Sequence, residues 1–213
     1  MLQTKFNKQL EFDLYIVEQK IRKEKGYLTV SERKQLEEMI KNPKSYIIPE
    51  QPKKEYKPII INIDLLRKPC DLVTKEDDIK DIIKELKNTL ENVGGIGISA
   101  NQIGINKRIS YIKIPKLTED KKIEFTELIL INTKIIEQSI PIKVRGEGCL
   151  SFPGIFIDTK RYIFVIIKNH YEDLKPRTYM SQDYEGFAIQ HEVDHQNGIV
   201  IFDRRYIDVN HRK

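Results

Sequence analysis

The sequence has only two cysteines among its 213 residues, Cys70 and Cys149. Small secreted domains stapled by disulfides need more, so a disulfide framework is not indicated. No apolar run approaches the length of about 20 residues that a membrane-spanning helix requires. The N-terminal segment lacks the basic start and uninterrupted apolar core of a secretory signal, and Glu11, Asp13 and Glu18 argue against a transit peptide. A cytoplasmic location is therefore the default expectation.

The chain also lacks an arginine-rich tract, an RNA-binding motif and an interleaved row of aromatic residues. Its net charge is +5, but the 37 basic and 32 acidic residues are interspersed along the chain. A solvated surface explains this pattern, and nucleic-acid binding stays a side hypothesis. With 39% hydrophobic residues, a chain of this length can bury the core of a compact enzyme with one main domain.

What the sequence does contain is a metal-ligand pattern near its C-terminal end. His191 and His195 are four residues apart, so they would project from one face of a helix, with Glu192 beside them. This is the H-E-x-x-H arrangement of metal-dependent hydrolases. Cys149 lies upstream in Glu147-Gly-Cys-Leu-Ser151 and offers a third ligand. Two imidazoles, one thiolate and an open position make a catalytic rather than a structural site.

A third segment, Gly95-Ile-Gly-Ile-Ser-Ala-Asn-Gln102, is rich in glycine and small residues, and alone it indicates a turn more often than a site. In this order, the three segments resemble the three signature motifs of peptide deformylases. The second matches the family's E-G-C-L-S, and the third, Gln190-His-Glu-Val-Asp-His195, keeps Q-H-E-x-D-H. The chain departs from the pattern at Ile98 and Ser99, where leucine and alanine are usual, and at Gln196, where leucine is usual.

The resemblance covers about residues 60 to 205. It implies hydrolysis of the N-formyl group from the N-terminal formylmethionine of nascent peptides, with release of formate. It also implies an α+β fold in which mixed, mainly antiparallel sheets wrap around a central metal-binding helix. The expected partner is the N-formylmethionyl nascent peptide, and a transient contact with the ribosome is possible. No membrane association is expected, and the oligomeric state stays open. Two alternatives also stay open: a deformylase-like amidase on another N-acyl peptide, and a non-catalytic ribosome-binding or partner-binding protein.

By the same resemblance, Cys149, His191 and His195 hold one divalent metal ion. Fe²⁺ is the ion expected in the native enzyme, and Zn²⁺, Ni²⁺ or Co²⁺ can replace it in purified protein. Glu192 is expected to be the catalytic base. The side-chain amide of Gln102 is expected to stabilise the oxyanion of the tetrahedral intermediate together with the backbone N–H of Leu150.

Other residues carry supporting roles in the same resemblance. Gly97 would let the substrate backbone approach closely, because glycine has no Cβ. Ile96 and Ile98 would line or support the pocket for the methionine side chain, although either could equally belong to the core. Glu147 and Gln190 are candidates for hydrogen bonds that orient the metal ligands.

The sequence predicts three regions: a helical N-terminal extension over 1–41, a proline-rich linker over 42–58, and the catalytic domain over 59–213. The chain thus resembles a divergent family member with an N-terminal extension and a short C-terminus. Within the catalytic domain, hydrophobic spacing predicts the following elements. They are an extended segment over 60–66, a helix over 77–91, strands over 108–115, 123–132, 143–145 and 162–168, and a helix over 183–196 that ends at Asn197-Gly198.

Overall fold

The computed structural model describes residues 56–117 and 123–207. The predicted helical extension over 1–41 and most of the predicted linker over 42–58 lie outside these residues. The elements, in chain order, are α1 (Ile63–Leu66), α2 (Ile79–Val93), β1 (Gly97–Ser99), β2 (Ile109–Leu117), β3 (Ile123–Ile131), β4 (Lys134–Gln138), β5 (Pro141–Gly148), β6 (Phe156–Tyr162), β7 (Phe164–His170), β8 (Pro176–Gln182) and α3 (Asp183–Gln196), with short 3-10 helices at Ala100–Ile103 and Ile201–Arg204.

The strands form three antiparallel sheets, which have the orders β1-β2-β3, β4-β7-β8 and β5-β6. Helix α3 contacts strands of all three sheets, so it runs through the middle of the fold. This arrangement confirms the predicted α+β fold with antiparallel sheets around a central helix. Within 56–117 and 123–207, no helix combines the length and apolarity that crossing a membrane requires.

Helix α2 covers one side of the first sheet. Its first turn is capped by Asp78, whose carboxylate accepts a hydrogen bond from the N–H of Asp81 at 3.0 Å. Its buried apolar side chains recur at helical spacing and include Ile83, Leu86 and Leu90. They pack in one core cluster with residues of β1 and β2. This cluster supports the segment that leads into β1, which carries the first motif.

Helix α3 has the predicted bounds, 183–196. It is buried on most sides rather than along one stripe, as expected for a helix enclosed by sheets. Gly198 follows its end with a φ of +71°, and a Cβ at this position would lie 2.4 Å from the carbonyl oxygen of Arg67. Glycine is therefore required here both for the backbone conformation and for the close approach of the chain before α2.

Several predicted elements differ from the observed ones. The sequence predicts an extended segment over 60–66, but Asn62 caps a helical turn by accepting hydrogen bonds from the N–H groups of Asp64 and Leu65. Strands β1, β4, β6 and β8 were not predicted as such, because they are short or their apolar alternation is broken by polar residues. The pairing of β5 with β6 shifts register between Val144 and Glu147, which hides the alternation of β5.

Candidate metal centre

Cys149, His191 and His195 meet in one place, although the cysteine is far from the histidines in the chain. Cys149 follows β5 directly, and the two histidines project from successive turns of α3. Their ligand atoms all lie within 4.8 Å of one another. The Sγ of Cys149 is 3.3 Å from the Nε2 of His195. No other group of three such ligands occurs in the part of the chain that the structure describes.

The three donor atoms, and the carboxylate that lies behind His191, fit a divalent transition metal. The Nδ1 of His191 pairs with the Oε1 of Glu147 at 2.7 Å, which leaves Nε2 as the ring nitrogen available to a metal. A carboxylate behind a histidine ligand is the usual way to fix its tautomer and orientation. One sulfur and two imidazole nitrogens suit iron, zinc, nickel or cobalt, whereas calcium and magnesium prefer oxygen ligands.

The two histidines have opposite electrostatic environments. Burial disfavours the charged form of His191, but the adjacent Cys149 and Glu147 outweigh burial and raise the pKa of His191 well above its usual value. Burial lowers the pKa of His195, and the positive charge of His191 lowers it further.

A buried ionic network stands behind His191. The guanidinium of Arg161, whose side chain is 2% exposed, bonds to both oxygens of Glu147 and to Asp194. Burial raises the pKa of Glu147, but hydrogen bonds from Arg161 and His191 outweigh it and hold the pKa well below the usual value. Glu147 therefore stays ionised and can orient His191.

Sequence reasoning did not find Arg161, because a single arginine in a strand of alternating residues carries no local signal of a buried ion pair. The other sequence-predicted orienting residue, Gln190, has a different role from Glu147. Its side-chain amide bonds to the backbone N–H and C=O of Tyr162 and to the C=O of Gly186. Gln190 thus ties α3 to β6.

Glu192 lies beside the three ligands and is 3% exposed. Its Oε2 accepts a hydrogen bond of 2.6 Å from the hydroxyl of Ser99. Burial is the main cause that raises the pKa of Glu192. A Cβ on Gly97 would lie 2.5 Å from Oε1 of Glu192, so the glycine leaves the space that this carboxylate occupies.

Gln102 points its amide nitrogen toward the cysteine. Its Oε1 accepts a hydrogen bond from the N–H of Ser99 at 2.9 Å, which determines which end of the amide faces the site. Its Nε2 donates to the hydroxyl of Ser151 at 3.1 Å and lies 3.7 Å from the Sγ of Cys149. Leu150, the residue after the cysteine, is partly buried against the core cluster that includes Leu90.

The two isoleucines of the first motif occupy different surroundings. Ile98 is fully buried in the core cluster between α2 and β1-β2. Ile96 is partly buried against the second cluster, which is formed by β2, β3, β7 and α3. Ile98 therefore serves the core, and Ile96 retains an exposed part.

A family model described as polypeptide deformylase matches residues 57–211. The chain belongs to the polypeptide deformylase family. The curated relatives that it resembles include peptide deformylase 1 of Nostoc sp., which is 39% identical over 141 residues, 66% of this chain and 73% of the relative. The predicted family is confirmed.

Solved structures agree with this assignment. The fold matches the peptide deformylase of Thermotoga maritima with a TM-score of 0.63 and 29% identity, covering 72% of this chain and 100% of that one. It also matches a peptide deformylase from Synechococcus elongatus, solved in complex with actinonin, with a TM-score of 0.62 and 30% identity, covering 75% and 86% of the two chains.

Membership of the family identifies this deformylase as a metal-dependent hydrolase that removes the N-formyl group from nascent peptides. The two alternatives, an amidase on other N-acyl peptides and a non-catalytic binding protein, are not favoured, because the relatives are deformylases.

Proposed function

We propose that this deformylase hydrolyses formylmethionyl peptides with one divalent metal held by Cys149, His191 and His195, and that Fe²⁺ is the native ion. The convergence of these three donors beside a buried Glu192 is the observation that carries the proposal. When bound, such an ion supplies Lewis acidity, which polarises a carbonyl group and makes water more acidic.

Glu192 is the general base in this proposal. It accepts the proton of the attacking water and delivers it to the amine that leaves when the C–N bond breaks. Burial raises its pKa, which makes the carboxylate a stronger base than an exposed glutamate. Its place next to the ligands, without being one of them, fits a group that exchanges protons with water rather than binds the ion.

Gln102 and Leu150 stabilise the oxyanion that forms on the formyl oxygen. The orientation of the Gln102 amide supports this role, because its Oε1 is occupied by Ser99 and its N–H groups face Cys149 and Ser151. Leu150 adds its backbone N–H from the turn after β5. Removing one such donor lowers the rate by about 100- to 1000-fold in enzymes that use an oxyanion hole.

In this proposal, the substrate peptide lies along the first motif, residues 95–102. Gly97 borders the peptide with its backbone, because the carboxylate of Glu192 fills the space where a side chain would lie. The partly exposed Ile96 contributes to the methionine pocket, whereas the buried Ile98 belongs to the core cluster between α2 and β1-β2. The enzyme acts on nascent chains in the cytoplasm, with a transient contact to the ribosome.

The test compares two substrates that differ only in the acyl group. We expect anaerobically purified enzyme to release formate from formyl-Met-Ala-Ser and to leave acetyl-Met-Ala-Ser intact. Gln102→Ala should lose most of this activity at unchanged metal content, because the oxyanion loses a donor. Equal hydrolysis of both substrates would contradict the proposal and favour a general N-acyl amidase.

A further inference from the structure

A row of buried hydrogen bonds joins the carboxylate of Glu192 to the last residue of α3. Ser99 bonds to Oε2 of Glu192 at 2.6 Å, and its hydroxyl is 2.7 Å from that of Ser110. Gln196 then donates from Nε2 to the hydroxyl of Ser110 at 2.9 Å. All four residues are at most 3% exposed. Water therefore does not compete for these bonds.

The orientation of Gln196 follows from its backbone partners. Its Oε1 accepts from the N–H of Thr133 at 3.3 Å, and its Nε2 lies 3.3 Å from the C=O of Leu130. A carbonyl only accepts and an N–H only donates, so the amide cannot be reversed. Gln196 is consequently a donor to Ser110.

Counting protons then determines the direction of the remaining bonds. Each serine hydroxyl has one hydrogen. Ser99 donates its hydrogen to Oε2 of Glu192, with the backbone C=O of Glu192 as a second acceptor at 3.2 Å, so it must accept from Ser110. Ser110 in turn accepts from Gln196. Every donor in the row points toward Glu192, an arrangement in which each bond polarises the next.

We propose that Ser99, supported by Ser110 and Gln196, is a positioning residue for Glu192. It holds Oε2 in place, so that Oε1, which lies beside Gly97, is the oxygen that takes the proton of the attacking water. This inference rests on the proposed role of Glu192 as the general base. It also joins two departures from the family pattern, Ser99 and Gln196, through one shared neighbour.

The first test measures kcat and KM for formyl-Met-Ala-Ser. We expect Ser99→Ala to lower kcat about five- to tenfold with KM nearly unchanged, a smaller loss than removal of the base itself would cause. Ser110→Ala should lower kcat less, and the double variant should match Ser99→Ala alone, because Ser110 acts only through Ser99. Ser181→Ala is the matched control, since it removes another serine-to-glutamate bond, the partly buried one to Glu185 at 2.7 Å, away from the site. Its kcat should match that of wild type.

Glu192→Gln distinguishes the proposed role of Glu192 as the base from the proposed positioning role of Ser99. If it loses activity while Ser99→Ala keeps the kcat of Ser181→Ala, only the positioning role is overturned. If Glu192→Gln retains full activity, the proposed base is wrong and the positioning role falls with it. Multiplicative effects of Ser99→Ala and Ser110→Ala on kcat would also overturn the inference.

A second test needs neither metal nor activity. In protein stripped of metal, urea unfolding is compared for Ser110→Ala, Gln196→Leu and the double variant. Because the two side chains are directly bonded, the effect of Gln196→Leu on the unfolding constant should be at least about threefold smaller when Ser110 is absent. Independent effects would show that the row is not connected and would overturn the inference.

Discussion

Arg161 offers the sharpest test of how the fold supports the metal centre. The substitution Arg161→Met keeps most of the side-chain volume but removes the guanidinium that bonds to Glu147 and Asp194. Its Nε to Oε2 bond with Glu147 is 2.8 Å long. Both carboxylates would remain buried, with exposed fractions of 12% and 7%. Two negative charges would thus lose their common partner.

The expected loss of stability depends on the bonds that Glu147 and Asp194 keep in the variant. Breaking a buried ion pair by removing one partner costs about 3 to 5 kcal/mol. Glu147 would keep its bond from the hydroxyl of Thr159 at 2.6 Å, and Asp194 would keep Arg204 at 2.6 Å. These contacts place the expected loss near the lower end, at about 3 kcal/mol. Metal affinity should also fall about 10- to 100-fold, because Glu147 orients His191.

The assay is urea unfolding of metal-free protein, followed by metal titration. Arg204→Met is the control, because Arg204 bonds to the same Asp194 but its side chain is 38% exposed. We expect it to cost about 1 kcal/mol or less. If Arg161→Met does not accumulate, Arg161→Lys takes its place. Lysine keeps the charge but not the forked geometry of the guanidinium, so its loss of stability should lie between those expected for Arg161→Met and Arg204→Met. Equal losses for Arg161→Met and Arg204→Met would refute the reasoning.

Three further predictions concern other parts of the chain. Gly97→Ala should lower kcat at least about 100-fold, since its Cβ would displace the carboxylate of Glu192; formate release measures the loss, and unchanged kcat would contradict it. Gly198→Ala should cost about 3 kcal/mol in urea unfolding, because the φ of +71° and the contact with Arg67 both oppose a side chain; a loss below about 1 kcal/mol would argue against this. Burial disfavours the charged form of Asp77, but Lys107 and Thr74 outweigh it and lower the pKa. The stabilisation is therefore fully present above the usual carboxyl pKa and disappears as the pH falls through the lowered one. Asp77→Asn should cost about 0.5 to 1 kcal/mol at pH 6 and progressively less below pH 4, and a difference that is independent of pH would contradict the sign.

The sequence predicts those parts of the fold that depend on local patterns. The bounds of α3 follow from its motif and from the stop at Asn197-Gly198, and the helical spacing of α2 comes close to its observed range. The turn at Ile63–Leu66 was missed, because a single side-chain cap at Asn62 outweighs the extended tendency of the flanking isoleucines.

The candidate site likewise has residues that the sequence predicts and residues that it does not. Cys149, His191 and His195 are recognisable from their motifs, and the structure brings their ligand atoms together. Arg161 and Ser110 carry no local signal, because their roles depend on partners that are 11 to 86 residues away in the chain. Long-range pairing of single polar residues cannot be inferred from periodicity.

The most direct test of the central claim is formate release from formyl-Met-Ala-Ser by wild type and Glu192→Gln, with bound metal quantified in both. We expect wild type to be active, and the variant to keep its metal but lose activity by at least about 100-fold. A metal-loaded variant with the activity of wild type would contradict the claim, because the proton would then be taken by another group.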